Sequence, residues 1–397
     1  MVLLQKKKLY DIIYNINKIN KKREEMSRTT KEKIIGFIKS EVVLCIAIVF
    51  AIITCFFIPI DKEYLNYFNT DTLILLFCML AVVAGLKSTN VFEVIARKMI
   101  NLFHTRRAVI YSLIFGTFFF DMIVANDMSL ITFLPLTYIV LHSTRNDKYL
   151  GITFIMQTIA ANMGGMITPH GNPQNLYLYS FFKIPTDEFI GILLPQAITV
   201  AVMLAICGLF IKNEELVLRR KSRIIVDKKN LKIYAALFVL VILSIFRIVP
   251  NIITLAIVTL TILLMDRKRF RKVDYALLAT FCVFFIFSGN IARIDAIKEF
   301  IASIVVDNTL VAGIISCQFI SNVPTAIFLS KFTENYRELL ISVNIGSLGI
   351  LISSLASLIT LKEFLKHQPR NFWKYLIKFT LFNTMFLVIL LGVTYLY

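Results

Sequence analysis

Apolar stretches of membrane-crossing length follow one another from residue 42 to the end of the 397-residue chain. Hydrocarbon about 30 Å thick takes roughly 20 apolar residues of helix to cross, and every backbone polar group inside it has to find its partner within the protein. Crossings are expected at 42–60, 72–86, 149–179 (long and interrupted), 189–211, 233–249, 252–265, 275–288, 339–361 and 375–396. The predicted fold class is an all-α polytopic membrane protein. Composition agrees, with 57% hydrophobic and 17% charged residues against about 45–50% and 25% in soluble domains.

The net charge of +18 would suggest a nucleic-acid partner in a soluble chain. Here it has another explanation. Segments 1–41, 87–107, 142–148, 212–232, 266–274 and 362–378 hold 36 of the 43 Lys and Arg, which is the bias that keeps short loops cytoplasmic. The expectation is a multi-pass protein of the plasma (inner) membrane with a cytoplasmic N-terminus, in contact with lipid and not with nucleic acid. Residues 1–41 carry eleven Lys and Arg and no apolar core before a cleavage site, so they read as a basic cytoplasmic arm and not as a secretory signal. The six cysteines lie in apolar runs without CxxC spacing and read as small buried hydrophobes. No phosphate-binding GxxxxGK[ST] loop, HExxH or GxSxG motif occurs, so neither a cofactor nor an enzymatic activity is expected.

Two further apolar stretches, 108–141 and 308–330, are predicted to return to the side they left. The second is too short to cross twice and has Ser321, Asn322 and Pro324 in its middle; the first is centred on Asn126 and Asp127. Amphipathic pieces at 91–103 and 291–306 precede them, as interfacial helices would. The order of parts recurs. An apolar helix opens at Asp71 or Asp274, the amphipathic piece and the hairpin follow, and then a helix is broken at Asn162-Met-Gly164 or Asn344-Ile-Gly346. By the charge distribution the two copies face opposite ways. The expected organisation is the arm 1–41, a first inverted repeat 42–211, a basic loop and linking span 212–250, and a second inverted repeat 251–397, with two re-entrant helical hairpins and two broken helices. Such repeats meeting at mid-membrane build many secondary transporters.

Irregular backbone at membrane depth is tolerated only inside protein or along a cavity, so the breaks mark the pathway. Helix N-termini exposed there attract an anion, while freed carbonyls and side-chain oxygens suit a cation such as sodium. The substrate-binding residues expected are Asn126, Thr168, Asn172, Ser321, Asn322 and Thr325. The coupling ion, sodium or a proton, is assigned to Asp127, Asn126, Asn162, Gly164, Asn322, Asn344 and Gly346. Asp121 and Asp127 are the carboxylates within the apolar stretches, where a charge costs about 2.5–3.5 kcal/mol. Asp127 is taken as the coupling group; Asp121, among Phe118, Phe119, Phe120 and Met122, reads as a protonated structural residue. His170 reads equally as a titrating or a structural residue.

Three segments carry a resemblance: ANDMSLITFLPL at 125–136, NMGGMITPHGNPQNLYLY at 162–179 and SCQFISNVPTAIFLS at 316–330. They resemble the ion transporter superfamily, which includes arsenite permeases, sodium/proton antiporters of the same fold, and citrate and dicarboxylate/sodium symporters. The resemblance implies a homodimer whose hairpin tips and unwound helices hold substrate and coupling ions. In the dicarboxylate branch each tip carries Ser-Asn-Thr. Here Ala125 and Asp127 flank Asn126, and Val323 follows Asn322; the Asn-Asp pair is similar to the arsenite-permease branch. The function expected is ion-coupled secondary transport of a small anion, a carboxylate or an arsenite-type oxyanion, by alternating access. The alternative is a cation/proton antiporter of the same fold.

Overall fold

The computed structural model describes residues 41–216 and 224–396. The basic arm, apart from Glu41, and residues 217–223 of the following basic loop lie outside the described residues. The first-half helices are α1 (Val42–Cys55), α2 (Thr70–Ser88), α3 (Val91–Ile100), α4 (Arg106–Asp121), α5 (Asn126–Ser143), α6 (Leu150–Gly164), α7 (Pro173–Phe181) and α8 (Thr186–Leu209). After α9 (Lys228–Ile245) come α10 (Asn251–Met265), α11 (Tyr275–Ala292), α12 (Asp295–Asp307), α13 (Thr309–Ile320), α14 (Asn322–Leu329), α15 (Tyr336–Ile345), α16 (Leu355–His367) and α17 (Phe372–Leu396).

Thr70–Ser88, Asp147–Ile167, Thr186–Leu209, Tyr275–Ala292 and Pro369–Leu396 are long and apolar enough to cross a membrane. The helices α1 and α10 are shorter, at 14 and 15 residues, or roughly 21–23 Å at 1.5 Å per residue. Two expected crossings are in fact pairs of helices. The stretch 149–179 divides into α6 and α7 around residues 165–172, and 339–361 into α15 and α16 around residues 346–354.

Local chemistry starts these helices, the first of them capped two residues before the Asp71 that matches Asp274. Asn69 caps α2 by accepting from Thr72 N at 2.9 Å, and Asp274 caps α11 by accepting from Leu277 N at 3.0 Å. Both satisfy a backbone donor that the helix itself leaves orphaned. The two amphipathic pieces differ. In α3 the stripe Phe92, Ala96 and Ile100 is buried, whereas α12 buries Val305 and leaves Ile297, Phe300, Ile304 and Val306 exposed.

The packing pairs correspond across the two halves. Within each half the hairpin arms pack on each other (α4 on α5, α13 on α14) and on the first part of the broken helix (α4 and α5 on α6, α13 and α14 on α15). Between halves, α1 packs on α11 as α10 packs on α2, and the second arm of each hairpin packs on the second part of the other half's broken helix, α5 on α16 and α14 on α7. The last helices, α8 and α17, pack on each other. Helix α6 is buried over most of its length and α15 from Leu339 onward, so both breaks begin inside protein, as their unpaired backbone groups require; in the second, Ile350 and Ile352 are exposed.

Candidate functional site

Both hairpin tips turn through one unusual residue. Ala125 has φ 148° and Ser321 has φ 73°, each with ψ near extended values of 152° and 160°. Positive φ in a residue with a Cβ costs of order 1–3 kcal/mol and persists only where the surroundings enforce it. In each tip the next residue, Asn126 or Asn322, begins a new helix. Thr168 Oγ1 donates to the Met122 carbonyl at 2.9 Å, and Asn126 N donates to the Gly171 carbonyl at 3.2 Å. The first tip is thus held against the first break.

Asn162, at the end of α6, is the centre of the polar cluster. Its Oδ1 accepts from Asn126 Nδ2 at 3.1 Å and from Ser354 Oγ at 3.0 Å, and its backbone carbonyl accepts from Asn172 Nδ2 at 3.0 Å. Asn126 opens α5, Asn172 precedes Pro173 at the start of α7, and Ser354 caps α16 by accepting from Ser357 N. A fourth helix start is close by, because Ser321 at the head of α14 donates to the Ser353 carbonyl at 3.4 Å. Four helix N-termini therefore converge on one buried knot built from both halves. Asn344, the counterpart of Asn162, also reaches across the halves and donates to Asn175 Oδ1 at 2.7 Å.

The second break is longer than the motif Asn344-Ile-Gly346 suggested, and Gln318 is the reason. Its Nε2 donates to the carbonyls of Gly346 and Leu348 at 2.8 and 3.0 Å, and its Oε1 accepts from Ile350 N at 3.1 Å. One amide side chain replaces the helix as partner for three backbone groups.

Several buried polar atoms around the knot have no hydrogen-bond partner within the protein: Asp121 Oδ2, Asn126 Oδ1, Asn162 Nδ2, Asn172 Oδ1 and Asn344 Oδ1. Leaving such a group unpaired costs about 1–3 kcal/mol, and native cores contain few of them. They cluster at the two breaks.

The predicted residues divide between the knot and other surroundings. Asn126, Asn162 and Asn172 meet directly, and Asn344 joins the same interface. Thr325 Oγ1 and Asn322 Oδ1 are engaged within the second tip, with the Ser321 carbonyl and with Val323 N. Gly164 lets α6 approach α4, since a Cβ there would overlap the Phe118 carbonyl. Asp127 is elsewhere. Its side chain lines a 360 Å³ cavity with Glu41, Asp274, Thr280, Leu355 and Lys362. The residue that does enter the first break is Asp121. It is fully buried, with Oδ1 accepting from Ser129 Oγ at 3.3 Å, and a Cβ added to Gly165 would overlap its Oδ2 and come within 2.8 Å of Asn172 Oδ1. A sequence signal for Asp121 existed in its position five residues before Asn126, matching Cys317 five before Asn322.

The family model for citrate transporters matches residues 31–336. The chain belongs to the citrate transporter family. This citrate transporter family member is 33% identical over 307 residues to an uncharacterized transporter, MJ0456, of Methanocaldococcus jannaschii, covering 76% of this chain and 82% of the relative. It is also 24% identical over 325 residues to the inner membrane protein YbiR of Escherichia coli strain K12, covering 81% and 86%. Together with the long apolar helices, this makes the chain a multi-pass membrane transporter.

Proposed function

We propose that the chain is an ion-coupled secondary active transporter that moves a small anion, a carboxylate or an oxyanion, by alternating access between two inverted repeats. The observation that supports this most is the convergence of the N-termini of α5, α7, α14 and α16 on the Asn162 knot. Each N-terminus carries roughly half a positive charge, so four together favour an anion without a buried Lys or Arg. The packing correspondence between the halves at the hairpins and broken helices supports the inverted-repeat reading and the rocking motion that goes with it. On this reading the hairpins are re-entrant, the basic loops and the N-terminus are cytoplasmic, and the protein works as a homodimer in the plasma (inner) membrane.

A second reading is favoured by the cavity lined by Asp127, Asp274 and Glu41, three carboxylates against the single Lys362, a balance that suits a cation. In that case the protein is a cation/proton antiporter of the same fold. Reconstitution into proteoliposomes separates the two. With citrate, other carboxylates and oxyanions offered in turn, the first reading expects accumulation of at least one anion above equilibrium, driven by an imposed sodium or pH gradient. Cation-dependent proton release with no anion accumulation would support the antiporter instead.

A further inference from the structure

The two halves differ chemically at one matched point. Five residues before each tip Asn, a side chain packs on a glycine at the break: Cys317 comes within 3.0 Å of a Cβ built on Gly346, and Asp121 overlaps one built on Gly165, the residue after the Gly164 that matches Gly346. The first half thus carries a carboxyl where the second carries a thiol. Asp121 is the last residue of α4, where the helix dipole disfavours a negative charge. Its Oδ2 and Asn172 Oδ1 both lie against Gly165, on fully buried residues; Ser129 Oγ and the Gly165 N–H are the donors at the Asp121 carboxyl, and Asn172 Oδ1 has none within the protein. The Asn172 amide cannot turn round to help, because its Nδ2 is held by the Asn162 carbonyl at 3.0 Å. Two buried acceptor oxygens held against the same glycine repel unless a proton is shared between them.

We propose that Asp121, rather than Asp127, is the proton-carrying group of the transport cycle, its carboxylic acid donating from Oδ2 to Asn172 Oδ1. The proton comes from water on one side of the membrane and leaves to water on the other. Its loss sets a carboxylate against Asn172, and Asn172 holds Asn162, which ties the first tip to α16. Protonation is thereby linked to the contact between the halves. Asp127 on α5 lines the neighbouring cavity and is near enough to act on Asp121 electrostatically, and His170 lies in the same break. Helix α6 has none, Glu93 and Arg97 on α3 bind each other at 2.7 Å, Asp187 and Glu188 lie in the first turn of α8, and His142 at the far end of α5 pairs with Asp147.

The consequence for coupling rests on the transporter reading, but protonation itself is tested without any substrate. Infrared difference spectra of the full-length protein in lipid, recorded across pH steps, report buried carboxylic acids through a C=O stretch at higher frequency than that of solvated carboxyls. The expected result is a buried-acid band in the native protein and in Asp127→Asn, and its loss in Asp121→Asn. Asp121→Cys, which installs the second half's residue, is expected to lose it as well and covers the case of a misfolded amide variant. A band that survives in both Asp121 variants, or one that disappears in Asp127→Asn, overturns the proposal. Exchanging choline for sodium at fixed pH is expected to leave the band unchanged; its removal by sodium would assign the site to a metal cation and overturn the proton.

Discussion

Replacing Asn162 with alanine removes the acceptor shared by Asn126 Nδ2 and Ser354 Oγ at 3.1 and 3.0 Å. The consequences for the two donors differ. Asn126 Nδ2 is left buried with no other recorded bond, whereas Ser354 Oγ still lies 3.4 Å from Ser357 Oγ. Hydrogen bonds between membrane helices average about 0.6 kcal/mol in double-mutant cycles and reach about 1.7; a stranded buried donor costs about 1–3 kcal/mol. Removing Asn162 Nδ2, itself unpartnered, returns part of this. The expected destabilisation is about 1–3 kcal/mol. Equilibrium unfolding in detergent measures it for Asn162→Ala, Ser354→Ala and the double variant. The cycle is expected to give a coupling of about 0.6–1.7 kcal/mol between residues 192 positions apart. Strict additivity, with Asn162→Ala as stable as the native protein, would refute the idea that this residue joins the halves.

Other perturbations follow from the same geometry. In Gly171→Ala the new Cβ meets backbone atoms of Gly165, its Cα at 2.6 Å and its C at 2.8 Å, a clash no rotamer relieves; a loss of about 1–3 kcal/mol is expected in thermal unfolding. Gly191→Ala, with nothing within 4 Å in the interior of α8, is expected to gain up to about 1 kcal/mol. Outside the membrane-spanning helices, a hydrogen bond from the Arg293 guanidinium holds the Asp61 carboxyl below its ordinary value of 3.8. A depressed carboxylate stabilises the fold above the ordinary value and loses that contribution as pH falls through the depressed one. The difference in Tm between native protein and Asp61→Asn should therefore hold constant from neutral pH down to about 3.8 and close below it. A gap that closes near neutrality would contradict this.

Much of the architecture could be read from residue types that a helix in lipid does not tolerate. Asn162-Met-Gly164, Pro173 and the pair Asn322 and Pro324 end or begin helices where the breaks occur, because each weakens continued hydrogen bonding or favours a cap. The length of the second break could not be read in this way. It depends on Gln318, which lies on a different helix and whose partners are set only by packing. The two aspartates illustrate the same limit. Asp127 stands next to Asn126 in the chain, but successive residues on a helix point about 100° apart, and its side chain lines a different cavity. Asp121 looked structural among its phenylalanines, and only the approach of Gly165 and Asn172 from another helix gives it a polar setting. Adjacency in sequence was informative about the backbone and left side-chain direction open.

The functional account depends on the two halves being inverted copies whose hairpins enter from opposite faces. Single cysteines at Thr105, beside the base of the first hairpin, and at Asn335, beyond the end of the second, test this in a background with the six native cysteines replaced. Labelling with a membrane-impermeant thiol reagent, in sealed vesicles of both orientations, should modify Thr105→Cys from the cytoplasmic face and Asn335→Cys from the opposite one. Modification of both from a single face would contradict the inverted arrangement and, with it, the alternating-access mechanism.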